Sequence, residues 1–274
     1  MTAVTVTPVR AQARSRPATF ADVVHSEWTK FKTVRSSPMT VLVTILIGVG
    51  LGALITWAIS SHYHSMSFAE RLTFDPVATS FDGFGLGQLA IGILGIMYIS
   101  TEFSTGMIST SLAAVPRRWR VLASKSLVLT AVGLVVGEAM AFAAFFIAQI
   151  ILTGNAPHAT IGQPGVLRAV IGAGLYLAVV GLFGLGLGAV LRSTAGSIAV
   201  LVAVVFLLPA IANALPDSWR HPVEEYWPTQ AGQQISSVTS QAYHLGPWAG
   251  FGLFCGFVAA VLGIAFLIMS RRDV

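Results

Sequence analysis

Residues 166–212 read VLRAVIGAGLYLAVVGLFGLGLGAVLRSTAGSIAVLVAVVFLLPAIA, and how this stretch crosses space decides the fold. Only Arg192, Ser193 and Thr194 separate two apolar runs, Val166 to Leu191 and Ala195 to Ala212. A helix needs about 20 residues to cross roughly 30 Å of hydrocarbon, so both runs can span, and a three-residue link forces them into a tight helical hairpin. Working outward, the same criterion finds four more runs: Met39 to Ser60, Phe84 to Thr101, Leu127 to Leu152 and Trp248 to Met269. Strands of an outer-membrane barrel would be about ten residues of alternating polarity, and no such alternation is present. The expected fold is an all-α integral membrane protein with six transmembrane helices in residues 39–274.

Composition agrees with that class. Of the 274 residues 55% are hydrophobic and 10% charged, against roughly 45–50% and 25% in an ordinary soluble domain. The lone cysteine, Cys255, excludes an internal disulfide. Residues 1–18 carry Arg10, Arg14 and Arg16 among small residues and prolines and have no apolar stretch, which reads as a solvated basic tail and not a signal peptide.

Positive charge sets the expected orientation. With the N-terminus inside, thirteen Lys and Arg fall on the cytoplasmic side and three, Arg71, Arg168 and Arg220, on the other. Omitting the three tail arginines leaves ten against three. Both termini are therefore expected in the cytoplasm of a multi-pass membrane protein.

Two polar segments lie on that side. Thr19 to Pro38, TFADVVHSEWTKFKTVRSSP, has Thr19 and Asp22 at capping-box spacing and an apolar stripe of Phe20, Val24, Trp28, Phe31 and Val34, with Lys30, Lys32 and Arg35 near the headgroups. It reads as an in-plane helix turning into the first span at Pro38. Glu102 to Lys125, EFSTGMISTSLAAVPRRWRVLASK, repeats Met107, Ile108, Leu112 and Val115 at helical spacing and stops at Pro116. Arg117, Arg118, Arg120 and Lys125 follow as an expected headgroup anchor, with Trp119 as its interfacial aromatic. From the residues alone, this second segment reads as a membrane-surface helix.

Enzyme motifs are missing. None of the three lysines, Lys30, Lys32 and Lys125, sits in a phosphate-loop frame, and there is no HExxH, paired-cysteine or GxSxG pattern, so neither catalytic nor metal residues are expected. His62 and His64 read as solvated. Glu138 stands near the middle of the third span, where a charge costs about 2.5–3.5 kcal/mol, and Gln149 extends its face by three turns. Both are pathway candidates, with a structural hydrogen bond between helices as the competing reading for Glu138. Glycines four apart occur at Gly48 and Gly52, Gly133 and Gly137, Gly184 and Gly188, and Gly252 and Gly256. Pro209 is expected to bend the fifth span. In the long loop from Asn213 to Pro247, Trp219, Tyr226 and Trp227 suggest an outer lid at headgroup level.

The two polar segments together, SEWTKFKTVRSSP before the first span and EFSTGMISTSLAAVPRRWRVLASK after the second, resemble the permease subunits of bacterial ABC exporters of the type-two class, actinobacterial ones above all. The resemblance covers nearly the whole chain. It implies that Glu27, Trp28, Lys30, Phe31 and Arg35 belong to a connecting helix, and that Glu102, Gly106, Met107, Ile108, Leu112, Pro116, Arg117 and Arg118 form a coupling helix docking on a separate ATPase subunit. It also implies a second permease copy or a related permease, with ATP and Mg held by the ATPase and no cofactor in this chain. Membrane lipid is an expected partner and nucleic acid is not. The alternatives are a proton-coupled secondary transporter using Glu138 and a non-transporting component of a sensory or assembly complex.

Overall fold

The computed structural model describes residues 19–33, 36–107, 118–212, 214–239 and 244–271. Among these the regular structure is helical, with no strand. The tail, Val34, Arg35, Ile108, Leu112, Val115, Pro116 and Arg117 lie outside the described residues. The helices are α1 (Phe20–Thr33), α2 (Ser36–His62), α3 (Phe68–Leu72), α4 (Pro76–Ser80), α5 (Phe84–Ser104), α6 (Arg118–Leu152), α7 (Val166–Leu191), α8 (Thr194–Val202), α9 (Leu208–Ala212), α10 (Asp217–Tyr226), α11 (Pro228–Gln233) and α12 (Pro247–Arg271). Among the described residues six helices are long and apolar enough to cross a membrane: α2, α5, α6, α7, the α8–α9 rod and α12. α6 starts about two turns before the apolar run does, because RWRVLASK contains no helix breaker. That extension takes Lys125 into the helix.

The centre of the bundle is α7. In its apolar window 78% of residues are buried, against 17% for α12, whose outer face is left for lipid. Lipid supplies no hydrophobic drive between helices, so close backbone approach must do the packing. Glycines permit it here: a Cβ on Gly95 would overlap the Gly181 carbonyl of α7, and one on Gly137 of α6 would meet the Gly174 carbonyl at 2.5 Å. Gly252 and Gly256 share the four-residue spacing but have nothing near them.

Pro209 acts together with a π-helical turn at Ala203–Leu207. The Leu208 amide is diverted to the Ala203 carbonyl, and Pro209 has no amide to give, so the Val204 carbonyl loses its helical donor. The Trp227 indole N–H replaces it at 2.9 Å. The loop carrying Trp227 packs into the bundle. Ala231 and Ile235 are fully buried, with Gly250 of α12 against the Ala231 carbonyl and Gly172 of α7 against Ile235. Arg168 donates to the carbonyls of Ile235 (2.9 Å) and Ser237 (2.7 Å), satisfying the end of this inserted turn.

Candidate functional site

The site starts from Lys125, a side chain that water should hold and that is 1% exposed. An unpaired buried ammonium would be prohibitively costly, so countercharges must be in contact. They are. Its Nζ lies 2.7 Å from Glu27 Oε2 and 2.8 Å from Glu102 Oε1. Lys30 closes the ring, 2.7 Å from Glu27 Oε1 and 3.4 Å from Glu102 Oε1. The Tyr98 ring stands 4.5 Å from the Lys125 ammonium, its hydroxyl donates to Glu27 Oε2 at 3.4 Å, and Phe31 meets its edge at 5.6 Å between centroids. Lys125 is thus not a headgroup anchor; the carboxylates of α1 and α5 pull it inward.

Local structure brings each group into place. The Thr19 amide donates to Asp22 Oδ2 at 2.9 Å and the Asp22 amide to Thr19 Oγ1 at 3.3 Å, starting α1 in register. The face α1 buries is Val23, Glu27 and Phe31, whereas Phe20 and Trp28 of the expected stripe are more than a third exposed. The helix is therefore turned so that its glutamate packs inward, an orientation that is favourable only because Lys125 receives it. Burial alone would push the Glu27 carboxyl up, but Lys125 and Lys30 more than offset this and hold it below its ordinary value. Burial works against the Lys30 ammonium too, and Glu27 and Glu102 overcome it, so its pKa lies above the usual lysine value.

Glu102 sits in the last turn of α5 and Lys125 in the second turn of α6, so the cluster staples both helices that flank residues 108–117 to one another and to α1. Gly106 takes φ +70, a left-handed conformation that ends α5, and Met107 beyond it is half exposed. Arg118 opens α6.

The other expected residues do not join this site. Glu138 lies on α6 against Gly174 of α7, where a Cβ would come within 2.5 Å of its carboxyl carbon, and its Oε2 is buried without a hydrogen-bond partner. Gln149 is eleven residues further along, about 16 Å of helix. Its amide is fully engaged: it donates to the Pro76 carbonyl (2.9 Å) and Ser80 Oγ (2.8 Å) and accepts from the Ala159 amide (2.6 Å). Gln149 lies on the same face of α6 as Glu138, three turns on, and its bonds tie α6 to α4. Trp219 and Tyr226 are exposed, while Trp227 is pinned to the π turn.

A further polar node lies at the end of the bundle away from α1. Tyr176 of α7 donates to Gln88 Oε1 of α5 at 2.7 Å, and Gln233 of α11 donates to both at 3.3 Å. Among the described residues no three His, Cys, Asp or Glu side chains are placed to hold a metal. Neither a family model nor a curated protein matches the chain.

Proposed function

We propose that the chain is the permease subunit of an ATP-driven bacterial exporter, working with a separate ATPase subunit and a second permease copy or a related permease. The observation that carries this reading is the cluster of Glu27, Glu102, Lys30 and Lys125. A protein that only anchors a loop to the membrane has no use for stapling both of the loop's stalks to an in-plane helix through buried charge. A protein driven by a push on that loop needs such a rigid joint, because packed elements with two discrete arrangements convert a small displacement into a change of state. In this reading residues 102–118 receive the ATPase, α1 and the bases of α5 and α6 move with it, and the bundle exchanges inward- and outward-open states. Both termini face the cytoplasm.

The test is purification with the candidate phosphate-loop ATPase. Replacing Ile108 and Leu112 by Ala removes about 2–4 kcal/mol of docked apolar contact, a loss of tens- to hundreds-fold in ATPase retention. Full retention and coupling by that variant would reject the reading. Glu138 favours a second reading, a proton-coupled transporter, because its carboxylate has an unpartnered oxygen in the membrane interior. Transport by the chain alone in vesicles, driven by a pH gradient without ATP, would select it.

A further inference from the structure

A cavity of about 270 Å³ opens beside the charge cluster, between α1, α2 and α5. Along α5 its lining runs from Leu94 through Met97 and Thr101 to Glu102, with Phe31 and Lys30 across from it. From Leu94 to Thr105, the last α5-side lining position before Met107, is about 16 Å of helix, the hydrocarbon depth of one leaflet. The lining changes character along that length, from apolar at mid-bilayer to hydroxyl and charge at the helix end. Most of the wall is apolar, so water in the part lined by Phe31, Leu94 and Met97 would find little to bond. An acyl chain suits such walls better.

The polar end specifies a headgroup. Glu102 is nine-tenths buried and borders the cavity; Oε1 takes both lysines, while Oε2 is buried with no donor. The last torsion of a glutamate is soft, so a small turn of the carboxylate presents Oε2 to the cavity. Lys30, one-third exposed, stands beside it as the nearest cation at the mouth. The two glutamates and two lysines sum to zero charge. A ligand with net charge would therefore leave an uncompensated ion in a low dielectric, whereas a zwitterion leaves the sum unchanged.

We propose that this cavity binds a zwitterionic phospholipid with a primary-amine headgroup, its ammonium donating to Glu102, its phosphate beside Lys30 and one acyl chain along Leu94 and Met97. A quaternary choline has no N–H to donate, and an anionic glycerol headgroup adds a charge that none of the described lining residues offsets. The proposal uses no ATPase, so its failure and that of the exporter reading are separate.

The experiment is native mass spectrometry of the full chain released from detergent after incubation with equimolar phosphatidylethanolamine, phosphatidylcholine and phosphatidylglycerol of identical chains. Retention of phosphatidylethanolamine about tenfold above either competitor is expected. Equal retention of the three, or preference for either competitor, would overturn the proposal. Glu102→Gln should abolish the preference; because it also disturbs an ion pair, Met97→Trp serves as the second variant, filling the apolar end while leaving every charge in place. Met97→Trp should lower phosphatidylethanolamine retention at least fivefold with the lipid-free melting temperature unchanged, and retention equal to wild type would place the lipid elsewhere and sink the idea. Glycerophosphoethanolamine at the same concentration should not displace the lipid. Displacement by it would mean a soluble amine ligand and would likewise overturn the assignment.

Discussion

Two polar nodes hold this bundle, one at each end, and they are built from opposite chemistries. Near α1, four formal charges meet through Lys–Glu contacts of 2.7 to 3.4 Å and join three helices. At the far end the ties are neutral: Gln149 with Ser80 and two backbone groups, and Gln88 with Tyr176 and Gln233. A neutral amide network stabilises by about 1 kcal/mol per bond and loses little more than its desolvation when cut. A buried ion pair contributes little net stability, yet cutting one partner strands a charge. The charged end is thus the one that resists being half-changed.

Lys125→Ala should therefore have the largest effect, about 3–5 kcal/mol of destabilisation in detergent, because Glu27 and Glu102 are left buried together without the ammonium. Removing the three most buried charges at once is the control. Lys125→Met with Glu27→Gln and Glu102→Gln should recover most of that loss and, on the exporter reading, abolish coupling to an ATPase. If Lys125→Ala alone melts like wild type, the cluster is not the joint described. Acidification sharpens the contrast. The Glu27 carboxyl has a folded pKa below its ordinary value, so its contribution is present above about 4.5 and is lost as pH falls through that lower value. The stability gap between wild type and Glu27→Gln should accordingly close below pH 4.5, and the gap between wild type and a Gln149 variant should not. Lys30 has the opposite sign, its contribution being complete below about 10.5 and lost as pH rises through its higher folded value.

Gln149→Leu comes next, at about 1–3 kcal/mol, because the Ala159 amide and the Ser80 hydroxyl lose their partner in a buried setting. Thermal melting at neutral pH measures it. A loss as large as that of Lys125→Ala would remove the distinction between the two ends.

The six helices were legible because hydrocarbon thickness imposes a length, and a run of twenty apolar residues is visible without any knowledge of what it touches. The site was legible only in its members. Glu27, Lys30 and Glu102 were identified on their two segments, but Lys125, 98 residues from Glu27 and 23 from Glu102, carries the same local signature as the arginines before it. Its burial depends on carboxylates brought from two other helices, and that pairing has no periodicity to detect. The turn of α1 that buries Val23 and Glu27 follows from the same long-range attraction, which outweighed the apolar stripe through Phe20 and Trp28. Gln88, Tyr176 and Gln233 were missed for the plainer reason that a single amide in an apolar run announces no partner. The one signal available was scarcity: a lysine or glutamine that a membrane helix carries inside its length needs a neighbour.

Glu138 lies between the two nodes and belongs to neither, which makes its replacement the smallest expected change in stability and the most informative about function. Its Oε2 has no hydrogen-bond partner to lose, and Gln occupies the same volume above Gly174. Glu138→Gln should therefore shift stability by less than about 1 kcal/mol, because it keeps the volume and breaks no hydrogen bond of Oε2. With stability held constant, transport can be read directly. In an ATP-driven exporter with a mechanical joint at the α1 end, the variant should keep ATP-dependent transport and ATPase coupling. In a proton-coupled transporter it should abolish transport while the protein stays folded, since the amide cannot carry the proton. A melting temperature lowered as far as that of Gln149→Leu would instead mean that Glu138 is bonded into the structure, and its lack of a partner would not describe the working protein.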